Sequence, residues 1–326
     1  MLGLFKQNTI STAAALVIVT FLMKVRAILH PPPIQELADF NKGLFFKWDW
    51  MKSFYTSSPS LYIFLSVCFL LAFALYLNFV VNNEKLFSRK SYLPALSFVL
   101  ITSMLPSLNV FSFEMIASGC LFLAVSKALS LAHTTTPRKV SFDIGLFLGL
   151  ASLFYFPSVF FFILLLILLF IFRPFVLQEV LAYFLGCLTP FYFSAALLFI
   201  SGQWKHRLAS IYLHLHLPLN LVKFPVFVVM TLSSVILLFY SLYLINKTAT
   251  KNAMVVRKKW NAIVIYYVFA TIIGSLSIVF PSTAWILSIT PFSIILCSTF
   301  HHNLEKFNNF TFYFLIAVLI TVQWLV

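Results

Sequence analysis

From Ile144 to Phe172 the chain runs IGLFLGLASLFYFPSVFFFILLLILLFIF without one charged side chain. In lipid, backbone amides along such a run must be satisfied internally, so it enters a bilayer only as helix or closed barrel. The run is too long for one simple crossing, because about 20 apolar residues already span the hydrocarbon. Pro157 in its middle divides it into two helices that meet near one membrane surface. The rest of the chain has the same character. Of 326 residues, 62% are apolar and 9% charged, and the mean hydropathy is +1.01. A soluble domain carries roughly 45–50% apolar and 25% charged residues. No soluble fold of this length could hide so much apolar surface, so the expected class is an all-α, polytopic transmembrane protein.

About eleven segments meet the length and polarity of a span. They lie near 8–29, 59–82, 92–108, 110–132, 141–156, 157–172, 177–200, 224–246, 260–280, 282–300 and 310–326. The first has a basic residue, Lys6, before an apolar stretch, as a signal peptide does, but no small-residue cleavage site follows. It is read as an uncleaved helix. Cys68, Cys120, Cys187 and Cys297 each sit inside an apolar run with no CxxC pair, as small hydrophobes rather than metal ligands or disulfide partners.

The net charge is +14. In a soluble protein that would suggest nucleic acid; in a polytopic chain Lys and Arg mark cytoplasmic loops, and no nucleic-acid partner is expected. With the N-terminus in the cytoplasm, the inner loops hold Lys85, Arg89 and Lys90, then Arg138 and Lys139, then Arg173, then Lys247, Lys251, Arg257, Lys258 and Lys259, and then Lys306. Eleven spans would leave the C-terminus outside. Lys24, Arg26 and Lys127 fall near helix ends, where they are expected to snorkel to the interface. Two outer segments are long, about 30–58 and 201–223, and both mix aromatics with charges, which suits amphipathic helices lying on the outer face.

The acids are few, and each falls at or near a span end. Glu36 and Asp39, in PPPIQELAD, are spaced to share one face of a short outer helix. Together they could hold a divalent cation or act as general base and ligand. The plainer reading is that they offset a helix dipole, and Glu114, which opens a helix in FSFEMIASG, has the same two readings. Lys205, His206 and Arg207 could hold a lipid phosphate at the outer surface, or simply anchor a loop there. No Gly-rich phosphate loop, HExxH or GxSxG occurs, no repeat supports an inverted-repeat transporter, and no acid lies midway along a span, as a proton or ion pathway would need.

Two resemblances bear on these residues. The stretches RKSYLPALSFVLITSMLPSLN, FDIGLFLGLASLFYFPSVFFFILLLILLFIFRPF and YFLGCLTPFYFSAALLFISG resemble a Bacteroidota family of polytopic inner-membrane proteins of unknown function, over most of residues 1–210. More loosely, the order of features over about 10–202 resembles the membrane-embedded glycosyltransferases of the GT-C fold. Pro94 and Pro106 bracket a short third helix; Arg138 and Lys139 precede Asp143, Gly145, Gly149 and Pro157; Arg173 and Pro174 close the segment. That resemblance implies a catalytic acid in the first outer loop, here Glu36 or Asp39, with Glu114 as a second acid of the same cavity and Lys205, His206 and Arg207 facing a polyprenyl phosphate. The ELAD spacing, after three prolines, departs from the adjacent, DxD or ExD acids of that fold.

The expected architecture is therefore one integral membrane domain over 1–326, GT-C-like over 1–210 with further transmembrane helices over 211–326. It would sit in the bacterial inner membrane, N-terminus cytoplasmic. The expected function is glycosyl transfer from a polyprenyl-phosphate-linked sugar at the outer membrane face. Membrane lipids would be its surroundings, and a divalent cation the one cofactor the acids suggest. A non-enzymatic subunit or scaffold of a cell-envelope complex, with membrane-protein partners, is the alternative, and a small-molecule transporter comes third.

Overall fold

A computed structural model describes residues 2–31, 49–202, 225–249, 253–275, 283–301 and 311–317, and among them every regular element is helical. In chain order the helices are α1 (Leu2–Phe5), α2 (Ile10–Leu29), α3 (Asp49–Ser57), α4 (Pro59–Asn83), α5 (Leu93–Met104), α6 (Phe113–Ser130), α7 (Pro137–Phe154), α8 (Phe161–Phe172), α9 (Leu177–Ile200), α10 (Pro225–Ala249), α11 (Met254–Ser275) and α12 (Ile286–His301). Residues 311–317 are also helical. Four of these helices, α2, α4, α6 and α9, are each long and apolar enough to cross a membrane, and shorter apolar helices accompany them.

Local chemistry sets several boundaries. Pro59 and Pro137 open α4 and α7, where a missing N–H costs nothing and the fixed φ suits the first turn. Ser112 caps α6 by accepting from the amide of Met115. Pro106 follows α5 at once and converts the chain to a single 3-10 turn, Pro106–Asn109. Pro157 does the same between α7 and α8, in the turn Phe156–Phe160.

The innermost helices are α5 and α12. Every side chain of α5 is buried, as is every side chain of α12 before His301. A helix apolar all round belongs in the middle of a bundle. Between apolar helices there is little hydrophobic drive in lipid, so packing and interhelical hydrogen bonds take over. Here Ser97 of α5 donates to the carbonyl of Ser293 (2.8 Å), Ser118 of α6 meets the Thr290 hydroxyl (2.9 Å), and Ser298 donates to the carbonyl of Ser241 in α10 (3.3 Å). Phenylalanine fills the remaining space edge to face: Phe73 packs against Phe98 and Phe122 with ring centres 5.1 and 5.8 Å apart.

A different device joins α7 to α9. A Cβ on Gly145 would run into the carbonyl oxygen of Tyr183 and come within 2.8 Å of the Cys187 amide nitrogen. One on Gly186 would strike the carbonyl oxygen of Phe142, and one on Gly149 would lie 2.6 Å from the Cys187 carbonyl oxygen and 2.9 Å from the Pro190 ring. Gly145 and Gly149 are one helical turn apart, so two backbones cross in near contact in the small-xxx-small manner. Outward, α9 exposes Leu185, Leu188, Tyr192, Phe193, Phe199 and Ile200, a face suited to lipid rather than water.

Basic residues gather at one end of the bundle, where α4, α6, α8 and α10 finish and α5, α7, α9 and α11 begin. The backbone amide of Tyr92 donates to the carbonyl of Phe5, which brings the chain start to the same end. Glu84, just past α4, is 4% exposed and accepts from Lys259 of α11 at 2.7 Å, while His133 Nε2 stands 3.9 Å from its other oxygen. Lys259 also donates to the backbone carbonyl of Glu84, and Trp260 Nε1 to that of Leu86. On the flank, Lys127 and Asp143 pair at 3.6 Å, so Lys127 ends on a carboxylate.

Candidate functional site

At the opposite end, the loop between α5 and α6 turns inward. Leu108, Asn109, Val110 and Ser112 are all buried. Non-helical backbone at such depth is tolerated only where protein encloses it or a cavity adjoins it. With only 12 residues, α5 rises about 18 Å, short of a hydrocarbon core of about 30 Å. The turn that follows it therefore stands inside the bundle.

Lys24 fills this region. It lies on α2 and is wholly buried, at 0% exposure. Its ammonium donates to Asn109 Oδ1 at 2.6 Å and, more distantly, to the carbonyl of Thr102 at 3.5 Å. Thr102 belongs to the last turn of α5, so the amine also sits at the negative end of that helix. The expectation that Lys24 snorkels to the interface is corrected: its amine turns into the bundle because the early end of α5 leaves carbonyls and an amide there that need a donor.

An aromatic cluster packs against α2 through Phe21, Ala27 and Ile28, which flank Lys24 in the chain. Tyr62 of α4 donates to the carbonyl of Phe111 at 2.7 Å, which fixes the loop from the other side. Tyr55 of α3 meets Tyr62 edge to face with ring centres 5.3 Å apart, within a cluster of Tyr55, Tyr62, Ile63, Val67, Val110 and Phe113. The short helix α3 presents Lys52, Ser53 and Thr56 outward and Tyr55 inward. It is an amphipathic helix within the segment 30–58, as the mixed aromatic and charged sequence suggests.

Of the candidate site residues singled out from sequence, Glu114 alone falls among the described residues. It is half-buried in the first turn of α6, in the same loop-to-helix segment as Asn109 and Phe111. Glu36, Asp39, Lys205, His206 and Arg207 lie outside the described residues. Among the described residues no three His, Cys, Asp or Glu side chains converge as a metal site would require. Sequence reasoning assigned Lys24 to the interface and did not single out Asn109. The available signal was a lysine more than a turn short of the end of an apolar helix, too deep for a routine snorkel.

Chemically, the region holds a buried amine paired with an amide oxygen, beside a tyrosine cluster. Comparison with protein-family models, curated proteins and solved structures finds no match to this chain.

Proposed function

We propose that this chain is a multi-pass inner-membrane protein, N-terminus cytoplasmic, that transfers a sugar from a polyprenyl-phosphate carrier at the outer membrane face, with a GT-C-like arrangement. The observation that carries the reading is the buried Lys24–Asn109 contact beneath the α5–α6 loop. It puts polar chemistry inside the bundle at the end remote from most described basic residues. That end is the outer one by the positive-inside rule. The order of elements agrees with the resemblance: a first long helix, an outer segment with a short juxtamembrane helix, a long second span, and then short helices broken at Pro106 and Pro157.

In this mechanism Glu36 or Asp39 takes the proton of the acceptor hydroxyl as the hydroxyl oxygen attacks the sugar's anomeric carbon, and the carbon–oxygen bond to the phosphate breaks. Basic groups stabilise the phosphate that leaves, and Lys205, His206 and Arg207 take that role. The test is transfer of a labelled sugar from synthetic polyprenyl-phosphate donors by the full chain in liposomes. Glu36→Gln or Asp39→Asn is expected to lower the rate by about a hundredfold or more, the usual scale for a lost general base. If no donor supports transfer and neither variant changes the cellular phenotype, the chain is a membrane subunit and the enzyme reading fails.

A further inference from the structure

The helix α3 is held by few groups. It has nine residues, and an isolated helix shorter than about 12–15 residues is marginal in water. Of its side chains from Lys52 to Ser57, Tyr55 is buried, Phe54 is half-buried and the rest are exposed. Both inward rings meet the same residue. Tyr62 of α4 stands edge to face with Tyr55 at 5.3 Å and tilted against Phe54 at 5.9 Å. The docking onto Tyr62 thus supplies packing that so short a helix needs.

Tyr62 also holds the loop between α5 and α6. Its hydroxyl donates to the carbonyl of Phe111 at 2.7 Å, and its ring stands edge-on to the Phe111 ring at 6.5 Å. The next residue is Ser112, whose carbonyl accepts from the amides of Met115 and Ile116 (3.2 and 3.4 Å) and whose hydroxyl caps the same turn. Glu114 sits in that turn. The loop's other anchor, Lys24 on Asn109, lies earlier in the chain than Phe111. Release of Phe111 therefore leaves the first half of the loop pinned and frees the half that leads into α6.

We infer that Tyr62 is a latch, and α3 a strap that it couples to the start of α6. With α3 docked, the rings of Phe54 and Tyr55 hold the Tyr62 phenol on the Phe111 carbonyl. When α3 lifts, the phenol loses that support, the bond to Phe111 opens more often, and the turn that bears Glu114 loosens. The coupling runs both ways, because linked equilibria are reciprocal. It is a motion of the fold itself and stands if the sugar-transfer reading fails. Where sugar is transferred, it makes the place of Glu114 depend on the docking of α3.

The experiment is residue-resolved hydrogen–deuterium exchange of the full chain in nanodiscs. Tyr62→Phe deletes the donor to Phe111 and keeps the ring against Phe54 and Tyr55. It should speed exchange at the Met115 and Ile116 amides about tenfold, the scale of one buried hydrogen bond. It should also speed exchange at residues 54–57 of α3 about fivefold, the low end for coupled sites. Tyr55→Ala, read at Met115 and Ile116, should show a rise of the same size. Amides of α12 should hold in both variants, and Phe79→Ala, at an exposed position of α4, should move neither α3 nor α6. Exchange in α3 that is unchanged by Tyr62→Phe overturns the inference, as does a start of α6 unchanged by Tyr55→Ala. An equal rise in α12 means that the whole bundle has loosened, and it overturns the inference too.

Discussion

Lys24 and Lys259 are both lysines that fail to reach water, and the difference between them is instructive. Lys259 meets a full carboxylate, Glu84, at 2.7 Å, whereas Lys24 is held by an amide oxygen and a helix-end carbonyl. Removing one member of a buried ion pair leaves an uncompensated charge and typically costs about 3–5 kcal/mol. Lys259→Met should therefore lower the thermal midpoint in detergent markedly, and adding Glu84→Gln should recover part of the loss; a double variant no better than the single one would show that the pair is not coupled. Lys24→Met leaves Asn109 and the end of α5 without a donor, at a cost of about 1–3 kcal/mol. Its midpoint should fall less than that of Lys259→Met. Neither partnership was legible in the sequence. Glu84 and Lys259 are recognisable as charges at span ends, but they come from segments far apart in the chain, and nothing in either segment names the other.

Among elements, the α7–α9 crossing makes the sharpest prediction. Gly145→Ala sets a methyl against the backbone of α9, which cannot move aside as a side-chain tip can. Overpacking of this kind costs about 1–3 kcal/mol, and the variant should unfold at lower temperature. Gly119→Ala on α6 is the matched control: a Cβ there meets nothing within 4 Å. Alanine favours helix over glycine by up to about 1 kcal/mol, so its midpoint should hold or rise. Helix positions were the most legible feature of the sequence. The segment read as 177–200 is Leu177–Ile200 and that read as 59–82 is Pro59–Asn83, because length and polarity alone define them. The segment read as 92–108 stops at Met104, where Pro106 forces a turn, and the one read as 141–156 starts earlier, at Pro137, whose ring suits a first turn. Of the candidate site, only Glu114 was both singled out and described. Lys24 was missed because pattern reading assigns lysines near a helix end to the interface, and only the early finish of α5 shows otherwise.

For the whole molecule, the orientation proposed above is directly testable. In a background lacking the four native cysteines, Lys52→Cys on α3 and Lys90→Cys before α5 both stand at exposed positions, at opposite ends of the bundle. An impermeant maleimide applied to spheroplasts should label the first and reach the second only after lysis. The opposite pattern would invert the topology and place Lys24 in the inner half.

The central place of α12 also bears on how the molecule is made. Translation delivers α2 through α9 to the membrane well before residues 286–301 emerge, yet Ser97 of α5 and Ser118 of α6 find hydrogen-bond partners on α12, and α12 itself is buried among the earlier helices. The earlier helices must therefore wait in lipid around an unfilled slot, with Ser97 and Ser118 lacking their α12 partners, until the late helix arrives. Closure of the bundle thus waits on a helix made after the ones it joins, rather than progressing from the N-terminus. The interval before it is when a membrane chaperone or a quality-control protease has something to recognise.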